Sequence, residues 1–294
     1  MIELHVLGSG SAGNAFALAS EDAVLLVDAG FSAKELERRA ALSGLHLDRL
    51  VGIALTHEHG DHTTGAVRLA KKRNVPIVAT RGTFGSLDRS EAPPAHLPLA
   101  TSSLTEVGPF SIGCCPVLHD AREPVALQVE ADGVRLGFAY DLGRPTMALR
   151  YLFRSLDAVV IESNYDEVML RTSEYPASVQ HRIAGSSGHL SNTSTGQLLL
   201  ELLPGGIHTV VLAHLSLQCN SPTVARETVA AILARRGFRG RVEVALQHEP
   251  LAPIQLRSAR AAQYSLDLSL FTTGYQDRGG PSLRPDGESR DRSA

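Results

Sequence analysis

Short apolar runs recur along most of the chain, bounded by glycine, aspartate and serine, and their length fits buried strands better than helices. The first run, over 1–7, predicts a strand, and Gly8-Ser9-Gly10-Ser11-Ala12-Gly13-Asn14 after it predicts a tight, exposed turn. Strands are expected over 15–19 and 23–28, with Glu21-Asp22 turning between them. Ser32 then opens a helix as its N-cap, with Glu35 three residues on as the other half of a capping box. The run over 50–56 predicts a strand that ends at a cluster of histidines, and 63–73 reads as a helix.

A short strand over 75–79 follows, and Thr80 is placed to cap a further helical turn. The Pro- and Ala-rich stretch 91–103 reads as a loop. Beyond it the pattern turns to strands, over 104–107, 110–117 and 158–162, with a hairpin of 125–130 and 134–140 around Ala131-Asp132-Gly133. Helices are expected near 178–184, 194–203 and 222–236, interleaved with strands over 209–213 and 242–247. Both halves thus mix strands and helices. The pattern predicts an α/β protein, an αββα sandwich of two mixed β-sheets packed face to face with helices outside. Residues 1–252 are read as one hydrolase domain and 253–294 as a C-terminal extension. That extension turns polar and Gly/Pro-rich after Gly274, which predicts disorder from about residue 275.

Length and composition add little to this picture. The 294 residues are 43% hydrophobic and 20% charged, which suits an ordinary globular protein. No apolar run approaches the roughly eighteen residues of a membrane span. The opening Met1-Ile2-Glu3-Leu4-His5 has no secretory pattern, so a cytoplasmic protein without a membrane partner is expected. Cys114, Cys115 and Cys219 form neither a disulfide framework nor zinc-ribbon spacing and read as small buried hydrophobes. A net charge of −3 does not announce nucleic acid, although a local basic rim is compatible with it.

Histidine changes the picture. In Thr56-His57-Glu58-His59-Gly60-Asp61-His62 a strand runs out into a loop. Alternate residues of extended chain face the same way, so His57 and His59 can hold one ion together. After the bend at Gly60, Asp61 and His62 can face a second ion. Imidazoles with one carboxylate suit Zn²⁺, Mn²⁺ or Fe²⁺. His119, Asp141 and His214 each follow an expected strand, where a ligand type is well placed to complete such a site.

This order of residues resembles the metallo-β-lactamase superfamily, and within it the YycJ/WalJ-type hydrolases. The matching stretches are Leu7-Gly8-Ser9-Gly10-Ser11-Ala12-Gly13-Asn14, Val27-Asp28-Ala29-Gly30, the histidine motif, His119-Asp120-Ala121, Tyr140-Asp141-Leu142-Gly143, Glu162-Ser163-Asn164, Ser187-Gly188-His189-Leu190-Ser191-Asn192 and Leu212-Ala213-His214-Leu215-Ser216. The resemblance implies the metallo-β-lactamase fold and two divalent metal ions, manganese or zinc. One is held by His57, His59 and His119, the other by Asp61, His62 and His214, with Asp141 bridging and Asp28 orienting a ligand imidazole. It also implies a metal-bridging hydroxide that cuts phosphodiesters, with DNA ends as partner, a 5′→3′ exonuclease activity and a place in DNA repair. Tyr165 and Pro176-Ala177 depart from the pattern, where related sequences often carry His and an aromatic.

Asp61 and His189 are the catalytic candidates, His189 supplying a phosphate contact or a proton to the leaving oxygen. Ser9, Ser11, Asn14, Ser191 and Asn192 are candidate substrate donors. For Ser191 and Asn192 helix capping serves equally well, and turn geometry alone equally explains the glycines before Asn14. A small-molecule ester, thioester or lactone hydrolase on the same fold is the competing reading. A non-catalytic metal-binding module is the third. The step of 73 residues from Asp141 to His214 leaves no room for the inserted domain of RNase J-type enzymes. Aspartate rather than cysteine at the bridging position argues against a β-lactamase.

Overall fold

Fourteen strands form two seven-stranded sheets in the computed structural model, which describes residues 1–87, 94–101 and 103–259. The first sheet holds β1 (Ile2–Gly8), β2 (Ala15–Ala19), β3 (Val24–Val27), β4 (Leu50–Ala54), β5 (Ile77–Ala79), β6 (His96–Pro98) and β14 (Ile254–Leu256), in the order β14-β1-β2-β3-β4-β5-β6. The second holds β7 (Thr105–Val107), β8 (Phe110–Pro116), β9 (Val125–Ala131), β10 (Val134–Ala139), β11 (Ala158–Glu162), β12 (Thr209–Ala213) and β13 (Arg241–Val244), in the order β13-β12-β11-β10-β9-β8-β7.

The face-to-face layer is wholly apolar at its centre, with Leu4, Phe16, Leu25 and Val27 of one sheet meeting Phe110, Leu127, Phe138 and Val160 of the other. Outside the first sheet lie α1 (Ala33–Leu42), α2 (Gly60–Thr63), α3 (Ala66–Arg73) and α4 (Arg81–Gly85), with Leu36 and Leu69 buried beneath. Outside the second lie α5 (Met147–Leu152), α6 (Glu167–Arg171), α7 (Ala177–Ile183), α8 (Asn192–Leu202) and α9 (Pro222–Ala234), with Leu149, Leu199 and Val229 in its core. The αββα sandwich expected from the alternation of elements is therefore the fold.

Strand direction decides where function can sit. In the first sheet β3, β4, β5 and β6 run parallel, and β1, antiparallel to β2, points the same way as β3. In the second, β10 to β13 run parallel, and β8 shares their direction through the antiparallel β9. The carboxyl ends of β1, β3 and β4 therefore lie along one edge of their sheet, and those of β8, β10, β11 and β12 along one edge of theirs. Val125 N–H donates to the Thr56 carbonyl at 3.0 Å, which ties the two edges together. Every candidate ligand follows one of these strands.

Several local expectations need correction. The helix expected over 63–73 is two, α2 and α3, because Gly65 N–H turns to the Ala29 carbonyl at 2.8 Å between them. Within the loop read over 91–103, His96–Pro98 pairs in parallel with β5; a proline is tolerated there because the strand is an edge. Ser32 does cap α1, but the Glu35 carboxylate turns away to Arg38 and Arg39, so the capping box is half formed. The helices α5 and α6 had no sequence signal strong enough to place them. Past the boundary set at 252, β14 pairs with β1 and buries Ile254 and Leu256, so the sheet runs beyond that point. The disorder expected from 275 lies outside the described residues.

Among the described residues no helix is long and apolar enough to cross a membrane. The three cysteines are free and buried, and burial pushes the Cys114 and Cys115 thiols up to about 11 and about 12. Ile254 is 1% exposed in the inter-sheet core, so Ile254→Ala should cost about 2–5 kcal/mol of unfolding free energy, measured by denaturant titration. A change within a few tenths would show β14 to be peripheral.

Candidate metal centre

At the carboxyl ends of β3 and β10, and again after β12, the backbone turns sharply. Asp28, Asp141 and His214 have φ of 55°, 53° and 55°, in the left-handed region that costs a non-glycine residue about 1–3 kcal/mol. Each is a strand-end residue whose side chain is aimed into the joint between the sheets. Strain of this kind concentrates where geometry is held for function.

Two clusters of potential ligands result. His57, His59 and His119 bring ring nitrogens within 4.8 Å of one another, and Asp61, His62 and His214 do the same with one carboxylate oxygen. Asp141 shares a third grouping with His57 and His62, which places its carboxylate between the two. His59 is the N-cap of α2, so the extended chain carries His57 and His59, and the single turn of α2 carries Asp61 and His62. The seven candidate ligands are thus brought together, and Asp141 lies where a bridging carboxylate would.

Asp28 is wholly buried beneath them. Its Oδ1 accepts from Thr56 N–H at 2.8 Å. Its Oδ2 takes Thr56 Oγ1–H at 2.8 Å, Tyr140 O–H at 2.8 Å and His62 Nδ1–H at 2.7 Å. That contact fixes the His62 tautomer and leaves Nε2 for a ligand. Thr56 Oγ1 in turn lies 3.1 Å from His57 Nδ1, which leaves His57 Nε2 in the same state.

The donor set fits a divalent ion. His57 Nε2, His214 Nε2 and Asp141 Oδ2 are buried with no hydrogen-bond partner among the described residues, a cost that a shared cation removes. His119 Nε2 and His59 Nδ1 face each other at 3.3 Å. Titration tells the same story. Burial pushes His57 well below its usual range, as a neutral ligand requires. Burial opposes the His214 cation too, but Asp141, Asp61 and Glu162 outweigh it and raise that group to about 10. The carboxylates demand positive charge here, and a proton supplies it when no metal does.

A second buried carboxylate, missed as a functional residue, ends β11. Glu162 is 0% exposed, and it accepts from the N–H groups of Leu142 and Leu190 at 2.9 and 3.0 Å. Its Oε1 lies 2.6 Å from His189 Nδ1. The signal was available, since a charged residue ending an apolar strand is the same feature that marked the other sites.

The cleft over these clusters is lined by Ser11, His59, Asp61, His119, Asp120, Asp141, Arg182, His189 and His214, among others. Of the five candidate substrate donors, Ser11 alone is there. Ser9 is 2% exposed and spends its hydroxyl on Asn14 Oδ1 and His214 N–H. Asn14 is 0% exposed, its amide lying 3.1 Å from His62 Nε2. The turn's interior is filled by Gln247, so close that a Cβ on Gly10 would meet its Oε1 at 2.4 Å. Geometry explains those glycines. Ser191 is the N-cap of α8, and Asn192 is buried against Ser163 and Asn220. Their polar atoms are engaged within the protein, which removes them as phosphate donors.

Comparison with known proteins agrees with this geometry. The model of the beta-lactamase superfamily domain matches residues 24–215. Exodeoxyribonuclease YycJ of Bacillus anthracis is 30% identical over 81% of this chain and 91% of its own length. The chain belongs to the beta-lactamase superfamily, in the YycJ/WalJ group. Exodeoxyribonuclease WalJ of Streptococcus pneumoniae is 29% identical over 78% of this chain and 87% of its own. Among solved structures, the metallo-beta-lactamase fold protein YhfI from Bacillus subtilis superposes with a TM-score of 0.63 at 17% identity, covering 85% of this chain and 98% of its own. This superfamily member is a metal-dependent hydrolase.

Removing the buried carboxylate tests the support beneath the ligands. Asp28→Ala should weaken metal affinity about 10–100-fold, read by competition with a chromogenic chelator, because His62 and Thr56 lose their orienting acceptor. Unaltered affinity in a folded variant would show that His62 is positioned without it.

Proposed function

We propose that the chain is a two-metal phosphodiesterase that degrades DNA from its 5′ ends. His189 carries this reading. It stands in the cleft beside the ligand clusters, 21% exposed, with Nδ1 committed to Glu162 and Nε2 left for a substrate. Burial works against its cation, but the Glu162 carboxylate prevails and raises its pKa, so the ring keeps a proton at neutral pH. A protonated donor next to a metal centre suits a phosphodiester, which brings negative charge and needs a proton for its leaving oxygen. A neutral ester or lactone needs neither as strongly. Arg182 lines the same cleft and makes no ion pair among the described residues, so the local charge is positive although the net charge is −3. The printed activity of YycJ and WalJ as exodeoxyribonucleases supports the choice of DNA.

In this reading His57, His59 and His119 hold one divalent ion, and Asp61, His62 and His214 hold the other, with Asp141 between them. Manganese or zinc bound there supplies Lewis acidity and an activated water. Asp141 keeps the two sites in register. Asp28 and Thr56 hold His62 and His57 in the ligating tautomer. Glu162 fixes the His189 ring and keeps its proton on the side of the leaving oxygen. Ser11 at the mouth of the cleft offers a hydroxyl to a phosphate oxygen.

The metal-loaded protein should digest end-labelled duplex DNA, stop when the ions are chelated, and leave an ester and thioester panel nearly untouched. Turnover of that panel without any cleavage of DNA would overturn the nuclease reading in favour of a small-molecule hydrolase. His189→Ala should keep its metal content and fold while losing about 10²–10⁴-fold in DNA turnover. Retained metal with wild-type cleavage would leave His189 structural, and lost metal would make it a ligand.

A further inference from the structure

Behind His189 lies a second hollow, of about 260 Å³, that the cleft does not include. His189 lines both, so it forms the wall between the ligand clusters and this space. Arg144, Tyr165, Ser186, Ser194 and Gln197 line the far side. Arg150 lies there too, but Glu201 neutralises it at 2.6 Å. The Arg144 guanidinium and the Gln197 amide make no hydrogen bond or ion pair among the described residues, and both residues are exposed.

The walls are braced. Arg144 N–H donates to the Ser186 carbonyl at 2.9 Å, and His189 N–H to the Ile183 carbonyl at 2.8 Å. Gly143 approaches so closely that a Cβ there would stand 1.9 Å from the Ser186 oxygen. The loop that carries Arg144 and the loop that carries His189 are therefore one rigid rim. Tyr165, which departs from the histidine common in related sequences, turns out to sit 8% exposed in this hollow.

We propose that this hollow is the end subsite, which receives the terminal nucleotide of the strand being cut. The inference rests on the nuclease reading and extends it. Arg144 meets the 5′-terminal phosphate, the one uncommitted cation meeting the one dianionic group of the strand. Gln197 and Tyr165 meet the sugar and base. A hollow on the scale of one small ligand cannot pass a continuing strand. Only a strand that stops there seats its first internal phosphodiester against His189 and the ligand clusters, so cutting is confined to ends.

Two measurements on the metal-loaded protein test this. Calorimetry gives the Kd of deoxyadenosine 5′-monophosphate, and cleavage assays give the kcat/KM ratio for 5′-phosphorylated over 5′-hydroxyl duplexes. Arg144→Ala should weaken the nucleotide about tenfold or more and bring the ratio toward one, with Arg144→Lys intermediate and the melting temperature unchanged. An unchanged Kd and ratio in Arg144→Ala, or no nucleotide binding by the wild type, would overturn the subsite. If the wild type cuts no DNA, the nuclease reading fails separately. The nucleotide Kd still judges the hollow: weakened in Arg144→Ala it supports a mononucleotide site, unchanged it removes one.

Discussion

A carboxylate with no solvent exposure sits at the seam of two sheets and takes four hydrogen bonds. Asp28 ends β3 of the first sheet, while Tyr140, which donates to it, follows β10 of the second. Thr56 gives it two donors from the end of β4, and His62 gives one from α2. Burying an ion costs several kcal/mol unless its lone pairs are filled, and here they are filled from three elements and both sheets. The joint therefore has one arrangement rather than several. His57 and His62 inherit their orientation from it, and the remaining ligands are placed relative to those two.

The same economy explains why strain is concentrated there. Asp28, Asp141 and His214 hold left-handed backbone at the ends of strands whose interiors are regular. A strand end in ordinary geometry would carry its side chain onward, past the seam. The turn brings it back over the seam instead, and the apolar layer of Phe16, Leu25, Phe138 and Val160 below supplies the stability that such strain consumes. Ser9 closes the arrangement, since its hydroxyl donates to Asn14 and accepts the His214 N–H, linking the first turn of the chain to a late candidate ligand.

What the sequence revealed, and what it concealed, follows from the kind of information each feature needs. The candidate ligands were legible because a polar residue ending an apolar run is a local pattern, and the order of such runs is a property of the chain. The αββα layering was legible for the same reason. Ser9, Asn14, Ser191 and Asn192 were misread because exposure is not local: whether a serine meets solvent or Gln247 depends on residues more than two hundred positions away. Glu162 was overlooked among residues quoted only for resemblance, although it obeys the strand-end rule that singled out Asp141. Short elements such as α5, α6 and β14 gain their stability from tertiary burial rather than propensity, so no window of sequence announces them.

The titration pattern of the five buried or half-buried imidazoles gives the last step. Burial lowers His57 and His119, and in those two it prevails. It opposes the cation of His62, His214 and His189 as well, yet all three are raised, because each lies within 3.6 Å of at least two carboxylates. The division is spatial. The cluster of His57, His59 and His119 is poor in carboxylates, whereas the cluster around Asp61, Asp141 and Glu162 is rich in them. A cation entering the first meets ligands that are already neutral; one entering the second must first displace protons. Loading of the two clusters is thereby made unequal by the carboxylates, and the asymmetry leaves His189, the one raised imidazole with its free nitrogen in the cleft, holding its proton where a substrate would need it.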